Sequence, residues 1–169
     1  MVHFTADTHF NHQTAITFPG RNFSTLEEMH KAIIENWNCC IADTDTVYIL
    51  GDYYFGTNVK EMHDITAALK GNKILLKGNH DTMPPSTYIK CGFSKYYDVP
   101  ILIGGDLLLS HEPVIHITGD GLYNIHGHTH GREFALQSSK HFCVATECTN
   151  LRPVSYKEIN KRKFLEGGF

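Results

Sequence analysis

Five stretches of this chain place Asp, Asn and His at the ends of short apolar runs. Val2–Ala6 leads into Asp7-Thr8-His9, and Val47–Leu50 into Gly51-Asp52. Ile74–Leu76 precedes Gly78-Asn79-His80-Asp81, Leu107–Leu109 precedes Ser110-His111, and Leu122–Ile125 precedes His126-Gly127-His128-Thr129-His130. Carboxylate, amide and imidazole donors in one set suit hard-to-borderline divalent metals. Asp7 and His9, and likewise His128 and His130, are two residues apart. On extended backbone such a pair projects to one side, so both members can face one ion. Asn79 offers a neutral oxygen, and Asp81 stands where it could orient the His80 ring. Singly these are weak signals: Asp52 alone reads as a turn aspartate, Gly78–Asp81 equally as a polar turn, and His111 alone as a satisfied surface or core histidine. Together they predict one composite site.

The elements that must position these residues follow from periodicity and punctuation. Val2–Ala6, Val47–Leu50, Lys73–Lys77, Leu122–His126 and Phe142–Ala145 read as strands. Val99–Ile103 and Asp106–Ser110 read as a hairpin turning at Gly104-Gly105. Leu26, Met29, Ile33, Ile34 and Trp37 recur at helical spacing and predict a helix over about 25–40, opened by a capping box in which Ser24 caps and Glu27 reaches back. A second helix runs from an Asn58 cap to Leu69, with Gly71 as its stop. A short one opens at Pro84-Pro85, and a last one follows the capping box Ser155–Glu158 to about Lys163. The order is βαβαβ, then mostly β. It predicts an α/β fold with a mixed sheet or two packed sheets, helices outside, and largely parallel strands in the first half. Ligands in such folds bind beyond the carboxyl ends of the strands, where all five motifs lie.

At 169 residues the expectation is a single domain. A formal net charge of −3 gives no broad basic face, so no extended nucleic-acid surface is expected. Five cysteines without a Cys-x-x-Cys motif argue against a disulfide framework or a thiolate zinc site, and for reduced thiols in a cytoplasmic protein. No apolar run is long enough to suggest a membrane span, and no signal peptide is apparent. Twelve histidines are many for this length, and at least six lie in or beside the strand-end motifs.

In order and type, Asp-x-His, Gly-Asp, Gly-Asn-His-Asp, Ser-His and Gly-His-Thr-His resemble the five motifs of the calcineurin-like metallophosphoesterase superfamily. The likeness covers nearly the whole chain. It looks nearest to the small, cap-less phosphoesterases of bacteria and their viruses, whose N-terminal Asp-Thr-His-Phe-x-His is matched by Asp7-Thr8-His9-Phe10-Asn11-His12. The resemblance implies a four-layer α/β/β/α sandwich, with two mixed β-sheets flanked by helices, and a dinuclear site. Carried over by position, Asp7, His9, Asp52 and His130 hold the first metal. Asp52 bridges to a second metal, held also by Asn79, His111 and His128. His80, paired with Asp81, sits on the leaving-group side. Mn²⁺ is the expected ion, with Fe, Zn²⁺, Co²⁺ or Ni²⁺ as alternatives. The expected activity is hydrolysis of a small phosphate ester, such as a cyclic or linear nucleotide diester, by a hydroxide between the metals. A phosphomonoesterase, a nuclease or a non-catalytic metal-binding scaffold are the alternatives. The scaffold reading is opposed by a ligand set in which nothing is missing. Substrate is expected to meet His12, Arg21 or Tyr54. Against this, His12 reads equally as a loop histidine, Arg21 as a solvated loop arginine, and Tyr54, with Tyr53 and Phe55, as packing. Arg132 and Glu133, next to His130, are candidates for the pocket rim. The oligomeric state is not encoded legibly.

Overall fold

The structure, a computed structural model, describes residues 1–118, 121–132 and 138–166. The apolar runs form β1 (Val2–Thr5), β2 (Thr46–Leu50) and β3 (Asn72–Leu76), parallel neighbours in one sheet. β4 (Lys95–Tyr97) extends this sheet in parallel beyond β3, and β9 (Val154–Ser155) closes its other edge antiparallel to β1. The second sheet runs β5 (Ile101–Ile103), β6 (Leu107–Leu109), β7 (Tyr123–His126) and β8 (His141–Cys143). β5 and β6 make the expected hairpin, while β6, β7 and β8 are parallel.

Two cores separate the layers. Alternation along β2 sends Val47 and Ile49 to one face, where they meet Met29, Ile33 and Trp37 of α1 (Leu26–Cys40) and Met62 and Ile65 of α2 (Val59–Ala68). Tyr88 of α3 (Pro85–Lys90) joins the same core. The opposite face presents Phe4, Leu50 and Leu76 to Leu107, Leu109, Ile125 and Phe142 of the second sheet. Ile159 of α4 (Tyr156–Glu166) also enters this inner core. The first sheet is thus covered on both faces, which is why its strands read as continuous apolar runs rather than alternating ones. The result is the expected α/β/β/α sandwich of two mixed sheets flanked by helices. Each fully buried Leu, Ile or Phe contributes roughly 1.5–3 kcal/mol, so both cores anchor the strands whose ends carry the polar motifs.

Helix starts depart from expectation in one place. Thr25, not Ser24, caps α1, accepting from Glu28 N–H at 3.1 Å, and Glu28 in turn accepts from Ser24 N–H at 2.8 Å. The capping box is displaced by one residue, because it is Thr25 that leaves Met29, Ile33 and Trp37 facing the sheet. The Ser155–Glu158 box forms as expected, with Ser155 N–H donating to Glu158 at 2.8 Å. β4 and β9 were not foreseen. They have three and two residues, too few to carry a period.

Candidate metal centre

The strand ends deliver their ligands through backbone that is not extended. Asp7, His9, Asp52, His128 and His130 have φ of 55°, 48°, 54°, 65° and 50°. The paired residues therefore do not converge by strand alternation. Both members occupy the left-handed region, which Asp and His tolerate better than most residues. Such conformations cost free energy and persist only where neighbours hold them. Here Asp7 N–H donates to Gly51 O and His9 N–H to Asp52 O, each at 3.0 Å, lacing the first motif to the second. His128 N–H donates to Asp7 Oδ2 at 2.9 Å and ties in the last motif. Two motif glycines are required by these close approaches. A Cβ on Gly78 would lie 2.2 Å from Asp52 Oδ1, and one on Gly127 would lie 2.3 Å from Asp7 Oδ2.

The donor atoms converge, and two of them are left without a partner. Asp7 Oδ1 and His9 Nε2 are buried and have no hydrogen-bond partner. His9 Nε2 and His130 Nε2 each lie 3.8 Å from Asp7 Oδ1. Asp52 Oδ2 stands 3.7 Å from His9 Nε2 and 3.5 Å from His111 Nε2, between the two histidines. Asn79 Oδ1 is 2.8 Å from His111 Nε2 and 3.0 Å from His128 Nδ1, and those two nitrogens are 3.2 Å apart. His111 Nδ1 donates to Leu50 O at 2.8 Å, so its Nε2 presents a lone pair to the Asn79 and Asp52 oxygens. Lone pairs facing lone pairs in a buried site repel unless a cation lies among them. Ligand bonds of about 2.0–2.2 Å place adjacent donors around 3 Å apart or somewhat more, so these separations fit divalent ions. Among the described residues two donor groups bring their ligand atoms within 4.8 Å of one another, Asp7 with His9 and His130, and Asp7 with Asp52 and His111.

The electrostatics agree. Burial, reinforced by the Asp52 charge, raises the Asp7 carboxyl well above its ordinary range. Burial, with Arg21 nearby, pushes His9 down to about 2, and burial also lowers His111. Neutral imidazoles bind a metal directly, and the raised Asp7 carboxyl is one whose deprotonated form a bound cation would favour. The floor of the site (Asp7, His9, Asp52, His111) is buried, whereas Asn79 and His128 are exposed and His80 and His130 are partly exposed, so the centre opens to one side.

A surrounding shell fixes the ligand rings. His9 turns Nε2 to the carboxylates while its Nδ1 lies 3.1 Å from His12 Nδ1, and His12 Nε2 meets Thr14 Oγ1 at 2.9 Å. His130 Nδ1 lies 3.3 Å from Glu147 Oε1, and Arg21 Nε donates to the same oxygen at 2.6 Å. Burial alone would raise Glu147, but the His130 hydrogen bond and the Arg21 charge outweigh it and hold the carboxyl low. Glu147 escaped sequence reasoning: it lies outside every motif, in the 3₁₀ turn Thr146–Thr149. Carboxylates that orient metal-binding histidines typically change metal affinity 10- to 100-fold when removed. Glu147→Gln should therefore weaken Mn²⁺ binding by roughly that factor, measured by titration calorimetry; an unchanged affinity would deny Glu147 this role.

Three expected roles are corrected. Arg21 is no solvated or substrate-facing arginine. It is buried, and besides Glu147 it donates to the carbonyls of Thr8 and Asp7 and to Thr146 Oγ1, leaving no fork for a phosphate. Tyr54 is buried, with its hydroxyl donating to Glu61 at 2.9 Å and accepting from Asn11 at 3.1 Å, so it is a packing residue. Asp81 does not hold the His80 ring. Its carboxylate accepts the backbone N–H groups of Asp52, Tyr53 and Gly78 at 2.8, 3.1 and 2.8 Å and so staples the second motif to the third. His80 is itself at the site, with Nε2 4.0 Å from Asp52 Oδ2 and its backbone N–H on Asp52 Oδ1 at 2.8 Å. His12 stands at the rim, stacked on the exposed Phe55 with centroids 4.2 Å apart. Arg132 lines a cavity beside His128 and His130, and Glu133 lies outside the described residues.

A family model described as calcineurin-like phosphoesterase matches residues 1–162. The chain belongs to that family. It is therefore a metal-dependent phosphoesterase acting on phosphate esters, and the Asp/His groups above are where the metal can bind. The phosphoesterase is 34% identical over 168 residues to an uncharacterized protein of Methanocaldococcus jannaschii, covering 95% of this chain and 89% of the relative. It is 29% identical over 163 residues to the Gene 66 protein of Mycobacterium phage L5, covering 75% and 76%. Among solved structures it resembles a protein of unknown function from Aquifex aeolicus, with TM-score 0.73, 30% identity and coverage of 95% and 98%. It shares a fold with the Pseudomonas putida nuclease MPE, with TM-score 0.51, 21% identity and coverage of 76% and 61%. Among the described residues no helix is long and apolar enough to cross a membrane.

Proposed function

We propose that this chain is a single-domain, dinuclear phosphodiesterase for small phosphodiesters, with Mn²⁺ as its working ion. The observation that carries the reading is the pair of buried, unpartnered donors, Asp7 Oδ1 and His9 Nε2, beside an Asp52 oxygen set between two histidines. Asp7, His9, Asp52 and His130 would hold one ion, and Asp52, Asn79, His111 and His128 the other. When bound, the pair supplies Lewis acidity toward the phosphoryl oxygens and a water of lowered pKa for in-line attack. The protein's own residues do the rest. Asp52 spaces the two ligand sets, and its Oδ1 fixes the His80 backbone. His80, half-exposed on the open side, can donate a proton to the departing ester oxygen. Diester over monoester is supported by Arg21. Its guanidinium is spent on Glu147 and on backbone, so it cannot pair with the additional charge of a monoester.

The test is hydrolysis of bis-p-nitrophenyl phosphate against p-nitrophenyl phosphate, with Mn²⁺ and with chelator. Chelator-sensitive cleavage that favours the diester is expected. A preference for the monoester would turn the reading to phosphomonoesterase, and no cleavage of either would leave a metal-binding scaffold.

A further inference from the structure

Two cavities border the ligand cluster, one beside His128 and His130 and the other beside Asn79 and His111. The first, of about 310 Å³, is lined by His128 and His130 together with Phe18, Pro19, Thr129 and Arg132. The second, of about 420 Å³, is bordered by Asn79 and His111 and continues along Pro100, Pro113 and Val114, with Lys77 and Glu112 beside them. Both are near the small end of ligand pockets, about 300–1,000 Å³. Each therefore suits one organic group of nucleoside size.

The geometry points to a linear phosphodiester with two bulky ester groups as the substrate class, one of them a flat aromatic group of nucleobase type held against Phe18. This rests on the phosphodiesterase reading above. A phosphorus atom above the ligand cluster has an ester arm to send into each cavity only if the substrate is a linear diester. A monoester has one arm. A cyclic nucleotide returns both ester oxygens to one ribose and likewise fills one side.

The two cavities differ in chemistry, and that difference assigns the aromatic arm. Phe18 is fixed edge-on against three site histidines, with centroids 4.9 Å from His130, 5.4 Å from His9 and 5.7 Å from His12. The Arg21 guanidinium lies 5.6 Å from its ring. The ring is thus a rigid apolar wall directly beside the ligands, and ordering it on binding costs little entropy. Arg132 is exposed on the same cavity and, among the described residues, is the only lining residue there with a fixed charge. A ring together with a guanidinium is the combination on which bases stack, largely irrespective of sequence. The second cavity offers prolines, a valine and Lys77 and Glu112 of opposite charge, with no Phe, Tyr or Trp among its described lining residues.

The test uses thymidylyl-(3′→5′)-thymidine, its two analogues lacking one base or the other, and 3′,5′-cyclic AMP, with Mn²⁺ present and cleavage followed chromatographically. One of the two abasic analogues should lose about tenfold in kcat/KM, mainly through KM, and cyclic AMP should be the poorer substrate. In Phe18→Leu and Arg132→Ala that tenfold loss should shrink to about twofold, with Mn²⁺ binding by calorimetry showing that the centre is loaded. Equal rates on the dinucleotide and both analogues would overturn the inference. So would a base-removal loss of the same size in both variants, or preferred cleavage of cyclic AMP. If bis-p-nitrophenyl phosphate is cleaved in a metal-dependent way in any of these cases, only the substrate class falls. If it is not, the phosphodiesterase reading falls with it.

Discussion

Asp52→Ala is expected to drop the metal content from two ions per chain to one, to cut Mn²⁺-dependent diester hydrolysis by at least about a thousandfold, and to remove roughly half of the thermal stabilisation that two ions confer. Asp52 Oδ2 lies within 3.7 Å of His9 Nε2 and 3.5 Å of His111 Nε2, so it is the oxygen both sites would share. Its loss removes a charge from each. Each ion held at a hundredfold excess over its dissociation constant stabilises the folded chain by about 2.7 kcal/mol. For a domain of this size that is a rise in Tm of roughly 5–10 °C. Calorimetry in Mn²⁺ and in chelator should show the rise for two ions in the wild type and for one in the variant. Asp52→Asn keeps the volume and one acceptor oxygen for the His80 N–H, so it separates loss of charge from loss of backbone support. An Asp52→Ala protein with two bound ions and an undiminished Tm shift would exclude Asp52 from the centre.

The strand-end motifs were legible because metal binding demands particular donors, and Asp, Asn and His at five strand ends rarely coincide otherwise. The α1 helix was legible because Met29, Ile33 and Trp37 repeat at the helical period and are buried on one face. What stayed hidden was set by the course of the backbone or by distant partners. The left-handed conformations of Asp7, His9, Asp52, His128 and His130 could not be read, because these positions are not glycine and their φ is imposed by neighbouring loops. Arg21 could not be assigned, since its carboxylate partner Glu147 is 126 residues away. Asp81 sits next to a histidine in sequence, yet the chain turns so that three backbone amides reach its oxygens first. Adjacency suggested a dyad, and hydrogen bonding gives a staple.

That distinction makes His80→Ala and Asp81→Asn a discriminating pair. The contact of His80 with Asp52 Oδ1 runs through its backbone N–H, and alanine preserves it. His80→Ala should therefore keep two ions and the full Tm shift while losing about 10²–10⁴ in turnover, the usual range for a lost general acid. The loss should be larger for esters with poor leaving groups than for p-nitrophenyl esters, whose departing oxygen needs little protonation. Asp81→Asn should behave in the opposite way. Its amide group would turn an N–H₂ toward buried backbone N–H groups that now donate to a carboxylate, costing about 1–3 kcal/mol for each donor left unsatisfied. The variant should melt lower in chelator as well as in metal, and any fall in turnover should show no dependence on the leaving group. If Asp81→Asn instead retained its Tm and reproduced the leaving-group dependence of His80→Ala, the two residues would act as one catalytic unit despite their separate hydrogen bonds. If His80→Ala cleaved poor leaving groups at the wild-type rate, the proton would have to come from elsewhere on the open side, where His12, stacked on Phe55 with ring centroids 5.6 Å from His80, is the nearest imidazole that the proposed ligand set leaves free.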